Sequence, residues 1–428
     1  MNTRQSTNQS FLKKSVLISL VLTGAFSVVA FALPSARVPA FDRTKPTATS
    51  TDSSFFPLRI PGMGEPETVI APVPQVPHVA TPDAVKAIYM SSWVAGTPTF
   101  RSKLVKIADE TEVNALVIDI KDYTGKIAFP VKDPLLVASG AAENRVPDME
   151  EFLKTLHEKN IYVIGRIAVF QDPYYVGKHP ELAIKRLSDG GVWKDHKGLP
   201  FIDVGSREYW DYIVALAKES HDMGFDEINF DYIRFPSDGN MRDIKIASEA
   251  GTTKPEILES FFKYLHEQLA PEGIVTSADL FGMTTTNTDD LNIGQQLERA
   301  LPYFDFIAPM VYPSHYPPKF NGWADPNDHP YELIKFVMEA AVRRTIATTT
   351  PVPTIGAERV ASTSPQLYTK PAFSAQKMRP WLQDFDYGGT YGPAEVRGQI
   401  QATYDAGLTS WMLWDPSNKY TPEALRVE

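Results

Sequence analysis

The sequence FDEINFDYIRFP, at residues 225–236, decides the fold of this chain. Apolar and polar residues alternate along it, which is typical of a β-strand with two different faces. Because side chains on a strand alternate between faces, Asn229 and Asp231 lie on the same side. That side is the interior of a barrel if Ile228 and Phe230 pack against helices.

Outward from this stretch, short β-branched runs alternate with amphipathic stretches from residue 85 to the end of the chain. A repeated strand–helix unit of this kind predicts a parallel sheet. Eight units in one α/β domain predict a closed (β/α)8 TIM barrel, and no Gly-rich phosphate loop follows the first strand to favour an open sheet. The predicted strands span residues 85–93, 115–120, 161–169, 225–235, 274–281, 304–312, 379–385 and 410–415.

The N-terminal region has a different composition and predicts export from the cytoplasm. Arg4, Lys13 and Lys14 precede an apolar run, so residues 1–33 are predicted to be a signal peptide, cleaved after an Ala-x-Ala site, or an uncleaved membrane anchor. Residues 34–82 are rich in Pro, Ser and Thr and predict a disordered linker. The barrel would then occupy residues 83–428, in an extracellular, periplasmic or membrane-anchored protein.

Charge and composition exclude several classes of function. The net charge of -10 opposes binding to a nucleic acid backbone. The absence of cysteine excludes disulfides and thiolate-bound metals. The histidines His157, His221 and His266 have no metal-ligand spacing and are interpreted as surface or lining residues on helices. Neither a metal nor a cofactor is predicted.

The candidate catalytic residues are carboxylates at the carboxyl ends of the predicted strands, where the active sites of such barrels lie. Asp231 ends the fourth strand and Asp279 ends the fifth, so their carboxyl groups would be roughly 5 to 7 Å apart. Retaining glycosidases place their two carboxyl groups about 5 to 5.5 Å apart. Asp119, on the second strand, or Asp122, in the following turn, could be the acid instead. Asp231 could also be a structural carboxylate that pairs with Arg234 or caps a loop.

The candidate substrate-binding residues are aromatic and polar side chains predicted at the same end of the barrel. Aromatic rings stack on the apolar faces of sugars, while charged and amide groups bind the hydroxyls. Trp411, which alternates with Met412, is instead interpreted as packing. The candidates are Tyr89, Trp93, Asp122, Arg166, Asn229, Arg234, Met310, Tyr312, His315, Trp414 and Asp415. Long insertions at 171–204 and 312–330 are predicted to wall the cleft.

Several of these motifs resemble a putative glycosyl hydrolase domain family of bacterial exported proteins. The resemblance spans nearly all of residues 85–420, and it is most specific at 224–236 and at APMVYPSHY, residues 308–316. Further matching motifs are at 88–93, 115–125, 277–282 and 411–415. The resemblance implies a barrel that acts as a glycosidase, without identifying its substrate.

The sequence is also similar, more distantly, to chitinase-type barrels. Their sixth strand carries Met-x-Tyr, which Met310 and Tyr312 match, and their fourth strand carries a row of acids that ends in a proton-donating Glu. Here Asp226, Asn229 and Asp231 are assigned to the row, but Ile233 stands at the position of that Glu. The acid is therefore expected to be Asp231 itself or a carboxylate of a neighbouring strand, such as Asp279.

Together these patterns predict a glycoside hydrolase that acts on a cell-wall or extracellular polysaccharide. Asp231 is the predicted nucleophile or base, and Asp279 is the predicted acid. The alternative is a non-catalytic barrel that binds glycan in the cell envelope, because Ile233 replaces the expected Glu. The expected partner is a polysaccharide or oligosaccharide, together with a possible membrane tether through the N-terminal apolar segment.

Overall fold

The computed structural model describes residues 77–246 and 251–427. Eight parallel strands within them close into a barrel, which confirms the predicted fold. The barrel closes where the first strand pairs with the last, at Ala87 and Met412. The strands are β1 Lys86–Met90, β2 Ala115–Lys121, β3 Tyr162–Ala168, β4 Glu227–Asp231, β5 Val275–Phe281, β6 Phe306–Met310, β7 Trp381–Gln383 and β8 Trp411–Trp414.

The main helices follow the strands in the order that the sequence predicts. Pro98 occupies the first turn of α1, where its missing N–H costs no hydrogen bond, and Gly224 ends α3 with a positive φ of 124°. None of the helices within 77–246 and 251–427 is long and apolar enough to cross a membrane. The main helices are α1 Pro98–Glu110, α2 Met149–Glu158, α3 Arg207–Met223, α4 Lys254–Leu269, α5 Leu297–Ala300, α6 Pro330–Ile346 and α7 Pro393–Asp405. Short helices at Ser92–Ala95, Pro134–Ser139 and Pro173–Lys178 lie in the connections.

The predicted signal or anchor, and nearly all of the predicted linker, lie outside the described residues. Two longer connections carry structure of their own. In the connection after β3, Lys185–Arg186 pairs antiparallel with Ile244–Lys245 from the connection after β4. Residues 345–378, for which the sequence predicts no element, contain a small hairpin of Thr349–Thr350 and Tyr368–Thr369.

Strand β4 contributes one side chain to each level of the barrel interior. Glu227, at the bottom, accepts hydrogen bonds from Arg379 at 2.8 and 2.9 Å. Asn229 lies in the middle and Asp231 at the top, while Ile228 and Phe230 pack outward into the core between sheet and helices. The prediction that Asp226 belongs to the interior row is wrong. Asp226 is an odd number of residues from Asn229 and Asp231, so its side chain lies on the other face of the strand. The interior position belongs to Glu227 instead.

Candidate active site

A cavity of about 280 Å³ opens at the carboxyl ends of the strands. It is the position where barrels of this type hold their active sites. Side chains from β3, β4, β5, β6 and β8 converge on it, together with the loops that follow β4, β5 and β6. Its lining is Arg166, Asp231, Tyr232, Arg234, Asp279, Phe281, Gly282, Met283, Met310, Tyr312, His315, Tyr316 and Trp414.

Asp231 is held in a buried network of charges centred on Arg166. The Arg166 guanidinium donates to Asp231 through Nε at 3.1 Å and also through Nη2. Its Nη1 donates to Asp119 at 2.7 Å, and Asp119 also accepts a 2.6 Å hydrogen bond from the Tyr89 hydroxyl. The Arg166 guanidinium therefore forms buried ion pairs with both Asp231 and Asp119.

The sequence-based alternative that Asp231 pairs with Arg234 is therefore wrong. Arg166 is the partner because β3 and β4 are adjacent and Arg166 faces the barrel interior one residue below Asp231 in the register. Arg234 lies beyond the end of β4, and its Nη1 instead donates to the Phe235 carbonyl at 3.1 Å and to Ser237 Oγ at 3.2 Å.

Asp279 has the opposite electrostatic environment. It is 2% exposed and forms no ion pair within the described part of the chain. Its Oδ1 accepts hydrogen bonds from Asn229 Nδ2 at 2.9 Å and from Trp381 Nε1 at 2.8 Å. Burial, and next the negative charge of Asp231, raise the pKa of Asp279 well above its usual range. The surroundings of Asp279 therefore disfavour its ionised form, in contrast to the direct pairing of Asp231 with Arg166.

This pairing of unlike carboxyl groups is what acid–base chemistry at a glycosidic bond requires. When the environments of two neighbouring acids push their pKa values apart, one is available to donate a proton while the other accepts one or attacks. Arg166 pairs directly with Asp231 and not with Asp279, and the pKa of Asp279 is raised by burial and by the charge of Asp231. Asp119 shares Arg166, but it lies behind the cavity wall and does not line the cavity.

Aromatic side chains form much of the remaining wall. Trp414 stacks on Tyr89 with a centroid distance of 4.0 Å, and the Arg166 guanidinium lies 5.0 Å from the Trp414 ring centre. Tyr312 is buried against Trp381 and Phe385 in the inner core. Burial, and then the charges of Asp279 and Asp231, raise the pKa of the Tyr312 hydroxyl well above its usual value. Tyr312 therefore faces the two aspartates as a neutral hydrogen-bonding group.

The structure brings together most of the predicted site residues. Asp231, Asp279, Arg166, Arg234, Met310, Tyr312, His315 and Trp414 line the cavity. Tyr89, Asp119 and Asn229 lie behind this lining and hydrogen-bond to it or stack on it.

Three predicted binding residues lie elsewhere. Trp93 is 62% exposed on the short helix Ser92–Ala95, with the Arg145 guanidinium 4.3 Å from its ring centre. Asp122 pairs with the same Arg145 at 2.5 Å. Asp415 accepts from the Ser417 amide at 2.5 Å and orders the turn after β8. Each lies in the connection after a strand, and a strand pattern does not predict the path of such a connection.

Sequence reasoning missed other residues of the site. Trp381, which holds Asp279, is on the three-residue strand β7, too short to give a clear alternating pattern. Phe281, Gly282 and Met283 follow Asp279 directly along the chain. A side chain at Gly282 would lie 2.4 Å from the Met310 carbonyl oxygen, so glycine is required for the close approach of β5 and β6. Gly282 is the feature of the sequence that could have identified the end of β5 as part of the site.

A second group of titratable residues lies at the opposite end of the barrel. Asp226 accepts from His157 Nε2 at 3.1 Å and from the amides of Val79 and Val163, each at 2.8 Å, and lies 3.3 Å from His78 Nδ1. The ring of His221 stacks on that of His78 at 4.2 Å. The interpretation of His157 and His221 as surface or lining residues misses this cluster, because His78 comes from the segment before β1.

Comparisons with known proteins identify the family and support the fold. A family model described as a putative glycosyl hydrolase domain matches residues 87–420. Among curated proteins, none matches the chain significantly. A solved structure of a hypothetical protein from Ruminiclostridium thermocellum is 38% identical, with a TM-score of 0.42, and the match covers 45% of this chain and 96% of that one.

Two more distant structures are similar in fold. The glycoside hydrolase domain of PgaB (BpsB) from Bordetella bronchiseptica is 13% identical, with a TM-score of 0.52, over 81% of this chain and 99% of that one. An α-L-fucosidase isoenzyme 2 from Paenibacillus thiaminolyticus is 11% identical, with a TM-score of 0.50, over 80% of this chain and 48% of that one. At such identities the likeness supports the barrel fold alone. The family match covers most of the sequence, and the chain therefore belongs to the putative glycosyl hydrolase domain family.

Proposed function

We propose that this protein hydrolyses glycosidic bonds of a polysaccharide, with Asp279 as the acid and Asp231 as the nucleophile or base. The observation that carries the proposal is the contrast between the two carboxyl groups in one cavity. Asp231 is paired with Arg166, whereas burial and the neighbouring charge raise the pKa of Asp279. Glycosidases use a protonated and an ionised carboxyl group on either side of the bond that breaks.

In the proposed reaction, the bond from the anomeric carbon to the leaving oxygen breaks while Asp279 transfers its proton to that oxygen. In one route Asp231 attacks the anomeric carbon, and water activated by the ionised Asp279 then hydrolyses the resulting glycosyl ester and releases Asp231. In the other route Asp231 removes a proton from the water that attacks the anomeric carbon directly. The Asn229 amide and the Trp381 indole hold Oδ1 of Asp279, which leaves Oδ2 to carry the proton. As the reaction makes Asp279 anionic, these same donors stabilise the new charge.

The cavity wall supports a carbohydrate as the substrate. Trp414 and Phe281 offer apolar faces on which a sugar ring can stack, and Tyr312, His315 and Arg234 offer polar groups for hydroxyls. Burial lowers the pKa of His315, so its ring is neutral at pH 7 and either donates or accepts a hydrogen bond. The loop after β6 that carries His315 and Tyr316 walls this side of the cavity, as the sequence suggests.

A non-catalytic glycan-binding barrel is the second candidate, and a specific observation favours it. Ile233, at the position where chitinase-type barrels carry the acid, is fully buried in the core. Both oxygens of Asp231 also have partners within the protein, because Oδ1 accepts from the Tyr232 amide at 2.6 Å and Oδ2 from Arg166. A binding protein would need Asp231 only as a fixed acceptor for a sugar hydroxyl.

We further propose that the protein acts outside the cytoplasm. The basic residues and apolar run of residues 1–33 and the Pro-rich segment after them support this location. An extracellular or envelope polysaccharide is the substrate class that agrees with such a location.

The two candidates differ in the release of new reducing ends. The full-length protein is incubated with a panel of bacterial and plant polysaccharides, beside its Asp231→Asn and Asp279→Asn variants. A hydrolase releases reducing sugar from at least one polymer, and either substitution lowers the rate by about 100-fold or more. Absence of release from every polymer, with binding that survives both substitutions, would establish the binding protein instead.

A further inference from the structure

A second cavity of about 500 Å³ adjoins the first one. Tyr232 and Arg234 line both cavities, so the two meet at these side chains. The walls of the second cavity come from the loop after β2, from the long insertion after β3 and from the segment after β4. The residues that line it beside Tyr232 and Arg234 are Tyr123, Gln171, Asp195, Lys197, Leu199, Phe201, Pro236, Ser237 and Asp238.

The backbone at Tyr232 creates the boundary between the cavities. Tyr232 has a φ of 52°, an uncommon conformation for a non-glycine residue, and it directly follows Asp231. The Phe170 amide donates to the Tyr232 carbonyl at 3.2 Å, which fixes this turn. The Tyr232 side chain therefore leaves the strand alternation and stands between the site of Asp231 and the second cavity. Such strained residues cluster at ligand-binding sites.

Arg234 lies at this boundary without a direct ion pair among the described residues, although the charges of Asp231, Asp238 and Asp195 act on it from a distance. Its guanidinium lies 5.3 Å from the Tyr232 ring centre and 5.6 Å from that of Phe281. It forms no ion pair with any carboxylate in residues 77–246 and 251–427, unlike Arg166, which has two. Burial lowers the pKa of Arg234, so its charge is destabilised in the free protein. A ligand anion would remove this cost.

The acidic residues of the second cavity are already engaged by the backbone. Asp195 Oδ1 accepts from the amides of Lys197 and Leu199, each at 2.8 Å, and Asp238 Oδ1 accepts from the His196 amide at 3.3 Å. Lys197 lies in the same lining, is exposed, and has no ion pair among the described side chains. These amides fix the orientation of Asp195 and Asp238, while Arg234 and Lys197 supply the positive charges of the cavity lining.

We propose that the second cavity is a binding subsite for a sugar that carries a carboxylate, with Arg234 as the residue that recognises the carboxylate. A guanidinium offers two parallel N–H donors to a carboxylate, and this geometry makes the interaction selective over a neutral substituent. Tyr232 supplies a ring face for the same sugar. The inference rests on the proposed function and extends it, because it assigns the substrate to the acidic polysaccharides and requires a chain that spans both cavities.

The test measures binding, so that it does not depend on catalysis. Hexasaccharides of polygalacturonate, alginate and hyaluronan are titrated into the full-length Asp279→Asn protein by calorimetry. Each is compared with its carboxyl-reduced form, which has the same linkages but lacks the charge. We expect at least one acidic hexasaccharide to bind 10-fold or more tightly than its reduced form. Substitution of Arg234 by Gln is expected to abolish that preference.

Two further variants control for loss of structure. Lys197 is exposed, so Lys197→Gln is expected to leave the fold intact. The substitution should lower the affinity for the acidic hexasaccharide several-fold. Arg186, on the same insertion, pairs with Asp189 outside the cavity lining, so Arg186→Gln is expected to change nothing. The proposal is overturned if no acidic hexasaccharide is preferred over its reduced form, or if the preference survives Arg234→Gln.

The proposed hydrolase activity and this subsite can fail separately. If the wild-type protein binds acidic hexasaccharides through their carboxylates but releases no reducing ends, the hydrolase activity is contradicted and the subsite is supported. Conversely, hydrolysis of a neutral polymer by the wild-type protein, with no preference for acidic hexasaccharides over their reduced forms, would contradict only the subsite.

Discussion

The indole Nε1–H of Trp381 donates a 2.8 Å hydrogen bond to Oδ1 of Asp279, across the barrel interior from β7 to β5. Together with Asn229, this donor fixes the orientation of the carboxyl group and leaves its second oxygen to face the cavity. Trp381 is itself 1% exposed and packs edge-on against Trp414. The position of the proposed acid is therefore set by residues that the substrate does not contact.

Removal of the Trp381 donor is expected to shift the pH dependence of catalysis. Its hydrogen bond favours the ionised form of Asp279, so Trp381→Phe raises the pKa of Asp279 further above its usual range. Activity requires the protonated acid and is lost as pH rises through that pKa. The alkaline limb of kcat/KM should therefore move to higher pH in the variant. An unchanged alkaline limb, in a variant that melts cooperatively, would exclude Asp279 as the group that titrates there.

The role of Asp279 as a proton donor predicts a dependence on the leaving group. Asp279→Asn is expected to lower hydrolysis of a natural polysaccharide by about 100- to 10,000-fold. Hydrolysis of an aryl glycoside with an acidic phenol should fall far less, because that leaving group needs no proton. The rates are measured side by side with Asp222→Asn, an exposed position on α3 outside the cavity lining, as the control. Equal losses on both substrates would contradict an acid role.

Arg166 is expected to be essential for stability as well as for activity. It is 6% exposed and pairs with both Asp119 and Asp231, so Arg166→Met leaves two buried carboxyl groups without a counter-ion. Breaking a buried pair in this way lowers the free energy of unfolding by about 3–5 kcal/mol. Denaturant unfolding at pH 7 measures this loss, and Arg186→Gln, an exposed pair, provides the control.

The same variant has a second expected property. The loss in free energy of unfolding of Arg166→Met, relative to the wild type, should be smaller at pH 4.5 than at pH 7. At the lower pH the unpaired carboxyl groups can take up protons in the folded state. A deficit that is the same at both pH values would mean that Arg166 acts through packing and not through its charge.

The barrel could be predicted because the pattern of a short apolar strand followed by an amphipathic helix is repeated eight times along the sequence. The alternation at 225–236 also gives the correct interior face, so that Asn229 and Asp231 point into the barrel and Ile228 and Phe230 point out. Seven of the eight predicted strands are longer than the observed ones, and the second, predicted at 115–120, is one residue shorter than Ala115–Lys121. The fourth extends over 225–235 in the prediction and Glu227–Asp231 in the structure, because hydrophobicity continues into buried loop residues such as Ile233 and Phe235.

The parts of the site that could not be predicted are those that depend on contacts between distant segments. Trp381 and Asp279 are 102 positions apart, and Arg166 and Asp231 are 65 apart. Strand order places them in one interior, but rotamers and local turns decide which donor meets which carboxylate. The positive φ of Tyr232 is one such turn, and no residue type in the sequence signals it.

The cluster around Asp226 predicts that stability falls at acidic pH. Burial, and next the charge of His78, lower the pKa of His221, so the folded state binds a proton there less readily than the unfolded chain does. Hydrogen bonds from His157 and His78 outweigh burial and lower the pKa of Asp226 as well. Both shifts give stability that is present at neutral pH and is lost as pH falls, first below about 6.5 for the histidine and then near and below about 3.9 for the carboxylate.

Melting temperatures between pH 7.5 and 4 measure this effect. His221→Asn keeps a donor for the Phe225 carbonyl, which lies 3.1 Å from the histidine Nδ1, and removes the titrating ring. The variant should lose less stability than the wild type between pH 7 and 5. A decline of the same size in both proteins would assign that part of the pH dependence to other groups.

The most direct test of hydrolysis by the Asp231 and Asp279 pair is the fate of oxygen from water. The wild-type protein is incubated with the most responsive polysaccharide in water enriched in oxygen-18, and the products are analysed by mass spectrometry. We expect one oxygen-18 atom at each new reducing end, and no such product with Asp231→Asn or Asp279→Asn. Products without the label, unsaturated products of elimination, or labelled products from both variants at the wild-type rate would contradict this mechanism.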